Sequence, residues 1–127
     1  MEQLSIEEWM SKDVSTIDRE KSVFDAVKKM VDRKIGAVVI VDAENRPEGM
    51  VSERDVLNRV VALGFNARDV KSKDIMVSDV ITIKKSDDYI TANKLIKYIN
   101  IRHLPVVDDD GKLVGIISIR DLIKVIT

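Results

Sequence analysis

The chain contains no cysteine. That absence removes disulfides, thiolate metal sites and thiol nucleophiles together. A single histidine, His103, leaves no imidazole cluster for a zinc enzyme. Aromatic residues make up only 4% of the chain, so its core has to be built from Val, Ile, Leu, Met and Ala. Neither charge sign dominates: 21 Lys plus Arg stand against 22 Asp plus Glu, a net charge of −1. A nucleic-acid binder normally shows a basic excess or patch, and that class is disfavoured. No apolar run approaches the roughly 20 residues of a membrane span. The first residues, MEQLSIEEWM, are acidic and lack the basic and apolar regions of a signal peptide. The expectation is a soluble, cytoplasmic protein with no membrane partner.

What is present suits a folded domain. The 127 residues are 45% hydrophobic and 34% charged, enough for a core and a solvated surface without covalent staples. The strongest pattern is internal. Shifting the chain by 66 residues aligns residues 10–57 with 76–123 without a gap, with 14 identities in 48 positions. They include Met10/Met76, Asp13/Asp79, Val14/Val80, Thr16/Thr82, Gly49/Gly115, Ser52/Ser118, Arg54/Arg120 and Asp55/Asp121. The chain is a tandem duplication.

Each copy reads as β-α-β-β-α, an α/β (α+β) fold class. In the first, Val14–Ile17 is a short strand, and Ser22 caps a helix whose Val23, Ala26, Val27, Met30 and Val31 recur at helical spacing. Ala37–Val41 and Gly49–Val51 form a hairpin, and Ser52 opens a second helix. In the second copy Val80–Ile83 is the strand, Asp87 or Asp88 the cap, and Leu104–Val107 with Leu113–Ile117 the hairpin; Ser118 caps the last helix. Ser5-x-x-Glu8 marks a small capped helix before Trp9 and Met10, while Trp9-Met10 and Ile75-Met76 read as packing residues. The division is residues 1–63 for the first repeat with its N-terminal helix, 64–73 for a linker and 74–127 for the second repeat. A three-stranded sheet with helices on one face leaves the other face needing cover, which the matching copy can supply. Two lobes about a pseudo-twofold axis, with a cleft on each side, are expected.

The residues that carry chemistry are Gly49-Met-Val-Ser52-Glu-Arg-Asp55 and Gly115-Ile-Ile-Ser118-Ile-Arg-Asp121. Both run from a strand end into the first turn of a helix. A hydroxyl and a carboxylate then lie beside free N–H groups at a positive helix terminus, which suits a phosphate; a carboxylate there also accepts from sugar hydroxyls. Helix capping explains the same residues equally simply, at about 1 kcal/mol each. Asp108-Asp-Asp110-Gly lacks the spaced oxygens and distal Glu of a calcium loop and reads as a hairpin turn. Lys71, Lys73, Lys84 and Lys85 read as solvated charges. No nucleophile–base or paired-carboxylate constellation can be placed, so the chain reads as a non-enzyme.

With these motifs in view, the sequence resembles a tandem cystathionine-β-synthase (CBS) domain pair, or Bateman module, over residues 9–125. The resemblance rests on Asp13-Val-Ser-Thr16-Ile and Asp79-Val-Ile-Thr82-Ile, the strand Ile35-Gly-Ala-Val-Val-Ile-Val-Asp42, the strand Leu104-Pro-Val-Val-Asp108, and the two Gly-to-Asp ends. It implies a regulatory module, here without an attached catalytic or transport domain. Its ligand would be AMP, ADP, ATP or S-adenosylmethionine, held in clefts between the repeats and signalling to a partner by a conformational shift. It implies Asp55 and Asp121 as ribose acceptors, with Ser52 and Ser118 near ribose and phosphate. Val14, Thr16, Val80 and Thr82 would lie on the strands whose backbone edges read adenine. Arg102 and His103, just before Leu104-Pro105, would reach phosphates, whereas their counterparts Gly36 and Ala37 cannot. Arg120, like Arg54, has a surface position, a dimer contact or a phosphate contact open to it. His103 also has an open alternative, as a hydrogen-bonded structural residue. The resemblance further implies a homodimer, a flat disc of four repeats formed through exposed helices. Competing readings are a dimerisation or interaction scaffold without nucleotide and, behind it, a nucleic-acid-binding module.

Overall fold

A computed structural model describes residues 5–99 and 102–118. In chain order the elements are α1 (Ile6–Trp9), β1 (Thr16–Ile17), α2 (Val23–Arg33), β2 (Ala37–Val41), β3 (Pro47–Ser52) and α3 (Glu53–Val56). The last of these runs on as a wider π-turn over Leu57–Val61. A 3-10 turn (Ala67–Asp69), α4 (Ser72–Ile75), β4 (Ile83–Lys84), α5 (Tyr89–Ile99), β5 (His103–Val107) and β6 (Leu113–Ser118) follow. The α/β fold with two matching three-stranded sheets is as expected: orders β1-β2-β3 and β4-β5-β6, with the first pair parallel and the second antiparallel in each. The second helix of the second copy lies outside the described residues.

Local chemistry sets the elements. The Ser22 hydroxyl accepts from the Asp25 N–H at 3.1 Å and starts α2, whose Val23, Ala26 and Met30 are buried. At α5 the Asp88 carboxylate takes the Thr91 N–H at 3.0 Å, which makes Asp88 rather than Asp87 the cap and holds its carboxyl below the ordinary value. Asp108 spends one oxygen on the N–H groups of Asp110 and Lys112, at 2.9 and 3.0 Å, so this stretch is the hairpin turn expected of it. Ser5 makes no capping bond through its side chain. The short α1 is held instead by docking, with Ile6 fully buried and its N–H on the Asp87 carbonyl at 3.1 Å.

The chain divides into two compact units, and neither is one repeat alone. One comprises Ser15–Val80; the other joins Met1–Val14 to Ile81–Thr127. Each therefore combines one repeat with the lead segment of the other. In the first unit, Ile75 lies in the core with Ile17, Val38, Ile40 and Val51, and Met76 packs against it. In the second, Ile6 and Met10 lie in the core with Ile83, Leu104 and Ile117. Each lead segment also adds one bridge to the sheet edge. Met50 and Val77 exchange two backbone bonds at 3.1 and 2.9 Å, and Ser11 and Ile116 do so at 2.9 and 3.0 Å.

The supposed linker is thus built into the first unit. Val23 N–H donates to the Val70 carbonyl at 2.8 Å, Ser72 N–H to that of Lys21 at 2.8 Å, and the Arg68 guanidinium sits 3.9 Å from the Phe24 ring centre. Lys71 and Lys73 are not merely solvated. Both ammonium groups bond Glu20, at 2.7 and 2.8 Å, and push its carboxyl from 4.5 down to about 2.

Gly49 and Gly115 are required by this exchange. A methyl group on Gly49 would meet Met76 Sδ and come within 3.1 Å of the Val77 carbonyl oxygen. On Gly115 it would meet Met10 Sδ at 2.6 Å and the Ser11 carbonyl oxygen at 2.9 Å. A thioether can swing aside, but a paired backbone cannot. Gly115→Ala is expected to destabilise by about 1–3 kcal/mol and Gly49→Ala by less, read as shifts of the urea midpoint. The depressed Glu20 pKa gives stability that is fully present above 4.5 and lost as pH falls towards about 2. The melting-temperature gap between wild type and Glu20→Gln should therefore close over that interval.

Candidate functional site

The Ser52–Asp55 motif sits where β3 turns into α3. Ser52 Oγ accepts from the Asp55 N–H at 3.2 Å, while Asp55 Oδ2 accepts from Ser52 N–H at 2.8 Å and from the hydroxyl at 2.9 Å. This is a complete capping box, and it engages groups expected to be free. A further first-turn amide, that of Glu53, donates to the Gly36 carbonyl at 2.9 Å. The box uses only one carboxylate oxygen. Oδ1 of this half-buried aspartate stays outside these bonds, held at a fixed angle by the two that Oδ2 makes. Capping and ligand contact are therefore compatible roles for one side chain.

The remaining residues fall into two sets, one per unit. Thr16, Ser52, Asp55 and Val80 belong to the first unit; Val14, Thr82, Arg102, His103, Pro105 and Ser118 belong to the second. Thr16 pairs with Val39 on β2, and Ser52 faces Ala37 two residues back on the same strand. Thr16 and Ser52 are thus on the two outer strands, about 12 Å apart at ordinary strand spacing and rise. In the second unit His103 lies directly opposite Ser118 across the β5–β6 pair, with exposed Arg102 one residue earlier. The only basic pair among the assigned residues is thereby brought to the Ser118 end of its own sheet. Pro105 is buried on β5. Arg54 is exposed, as a surface residue of the first turn. Arg120 and Asp121 lie outside the described residues.

One participant was not singled out from the sequence. The Lys29 ammonium, reaching from α2, donates to the Thr16 carbonyl at the edge of β1. The signal was the mismatch between copies, since the residue aligned with Lys29 is Leu95. Among the described residues no group of His, Asp and Glu side chains is arranged to hold a metal ion, and no helix is long and apolar enough to cross a membrane.

The CBS domain model matches the sequence twice, over residues 6–62 and 72–127. The chain belongs to the CBS domain family. Both matches begin at a lead segment, α1 or α4, so the family unit includes the piece that is exchanged. The uncharacterized protein MK0525 of Methanopyrus kandleri is 38% identical over 98% of this chain. The chain spans 64% of that relative's length. The solved CBS domain structure NE2398 superimposes with a TM-score of 0.87 at 30% identity, covering 99% of this chain and all of that one. The CBS domain protein PAE2072 from Pyrobaculum aerophilum, solved in complex with AMP, gives 0.87 at 29% identity, covering 94% of this chain and 90% of its own.

The capping box makes a direct prediction. Ser52→Ala should cost about 1 kcal/mol, within a range of about 0.5–2, measured by chemical denaturation. An unchanged midpoint would show that the hydroxyl contributes nothing to the helix end.

Proposed function

We propose that the chain is a non-catalytic regulatory CBS pair that binds an adenosine-containing ligand, AMP, ADP, ATP or S-adenosylmethionine, and signals through a change in conformation. The observation that carries this reading is the AMP complex of PAE2072, a structural neighbour at 29% identity. Oδ1 of Asp55, which the capping box leaves unused, adds support, as a pre-oriented acceptor suited to ribose hydroxyls. In this reading Asp55 and Asp121 take the ribose, and Ser52 and Ser118 lie near ribose and phosphate. The strand edge of one or both copies, Val14 and Thr16 or Val80 and Thr82, meets the base. Arg102 and His103 supply positive charge for phosphate, with Arg120 as a further candidate. The protein acts in the cytoplasm as a homodimer with a regulated partner.

The second reading, a dimerisation scaffold without nucleotide, has its own support. Leu57, Val61, Leu63 and Phe65 cluster in sequence at the end of α3 and are 58%, 61%, 63% and 57% exposed. Such a group favours a protein contact under either reading.

A thermal-unfolding panel with AMP, ADP, ATP, S-adenosylmethionine and NAD, with GTP as control, separates the two. A ligand at 100 times its Kd stabilises by about 2.7 kcal/mol, a rise of several degrees. A selective adenosyl shift, lost in the Asp55→Ala, Asp121→Ala double variant, is expected. Arg102→Ala should weaken AMP and ATP more than adenosine. A flat panel, with a dimer in sedimentation, would establish the scaffold instead.

A further inference from the structure

The two copies differ most tellingly at the first-strand backbone. Ser15–Thr16 aligns with Ile81–Thr82. In the first copy both carbonyls are already bonded. Val39 N–H donates to Ser15 at 3.0 Å, Lys29 donates to Thr16, and Ser15 is only 5% exposed. In the second copy both donors are gone. Val39 is replaced by Pro105, which has no N–H, and Lys29 by Leu95, an apolar side chain packed against the Ile83 and Leu104 core. The consequence is visible in the ladder. Parallel pairing begins at Thr16 in the first copy but only at Ile83 in the second, one position later in the repeat. Ile81 is 37% exposed and Thr82 is exposed as well.

Two neighbouring carbonyls that no donor among the described residues meets form an acceptor edge for a ligand N–H, such as an exocyclic amine. A ligand arriving there breaks no hydrogen bond among the described residues, whereas at Ser15–Thr16 it must displace an ammonium group or a sheet bond, and a displaced buried partner left unsatisfied is costly. We propose that Pro105 and Leu95 make the second copy the base-reading copy, that Lys29 and Val39 close the first, and that each chain consequently takes one adenine-bearing ligand. This inference rests on the adenosine reading above and adds to it the stoichiometry and the copy that reads the base. The competing role for Lys29 is protection of an open strand edge, which has no bearing on ligand number.

The test is isothermal titration of the whole chain with AMP, together with hydrogen–deuterium exchange of the same complex. The expected result is one equivalent per chain, with AMP slowing exchange over residues 80–84 and not over 14–18. Leu95→Lys should weaken AMP about tenfold or more. Lys29→Leu combined with Val39→Pro should open a second equivalent. Exchange on the wild-type protein keeps the test decisive should either variant fail to fold. Two equal equivalents, protection at 14–18 alone, or undiminished affinity in folded Leu95→Lys would overturn the assignment while leaving the adenosine reading intact. Absence of binding by AMP, ATP and S-adenosylmethionine alike would overturn both.

Discussion

The fold depends on the reciprocal docking of two short backbone segments against two glycines. Met76–Val77 lies on β3 at Gly49, and Met10–Ser11 lies on β6 at Gly115, each joined to the sheet by a pair of N–H···O bonds. Neither three-stranded sheet closes its core without this addition, because Ile75 in one unit and Ile6 in the other are core residues supplied from outside the repeat. The motif from Gly49 to Asp55 thus has two parts with separate causes. Its glycine answers to packing, and its serine and aspartate to the end of the strand and the start of the helix.

That separation bears on how the site is read. Ser52 and Asp55 form a capping box, which on its own would explain both residues. The same bonds fix the carboxylate through Oδ2 and do not engage Oδ1, so capping and ligand contact are compatible roles for one side chain. A side chain already held by its own helix loses little further freedom when a ligand arrives, which is the general advantage of a preorganised contact. Any difference in recognition between the copies must come from the positions where they depart. Conserved positions build the common frame, and the substitutions Lys29 for Leu95, Val39 for Pro105 and Ala37 for His103 make the two frames chemically unequal.

Much of the architecture was legible in the sequence because the duplication doubled every signal. The hairpins, the Ser22 and Ser52 caps and the apolar faces all follow from periodicity and capping chemistry. The first strands were not placed as well. Val14–Ile17 shortens to Thr16–Ile17, and Val80–Ile83 moves to Ile83–Lys84, where Pro105 on the facing strand has no N–H to give the ladder. The exchange of lead segments was also hidden. The sequence marks Met10 and Ile75 as packing residues, but not which sheet buries them, since that is settled by contacts far apart in the chain. Residues 64–73 looked like a polar linker for the same reason, as their bonds to α2 run through backbone groups common to all residues.

The exchange also orders events in time. The unit Ser15–Val80 is one continuous stretch, so all of its parts have been made once residue 80 has left the ribosome. The other unit cannot close so early. Ser11 must wait for Ile116, a partner more than 100 residues away, and until then Ile6 and Met10 have no core to enter. Distant closures of this kind are slow steps, and apolar segments left waiting are exposed to wrong partners. During synthesis the parts of the first unit are therefore complete before those of the second, and Ile6 and Met10 wait longest for the residues they bury against.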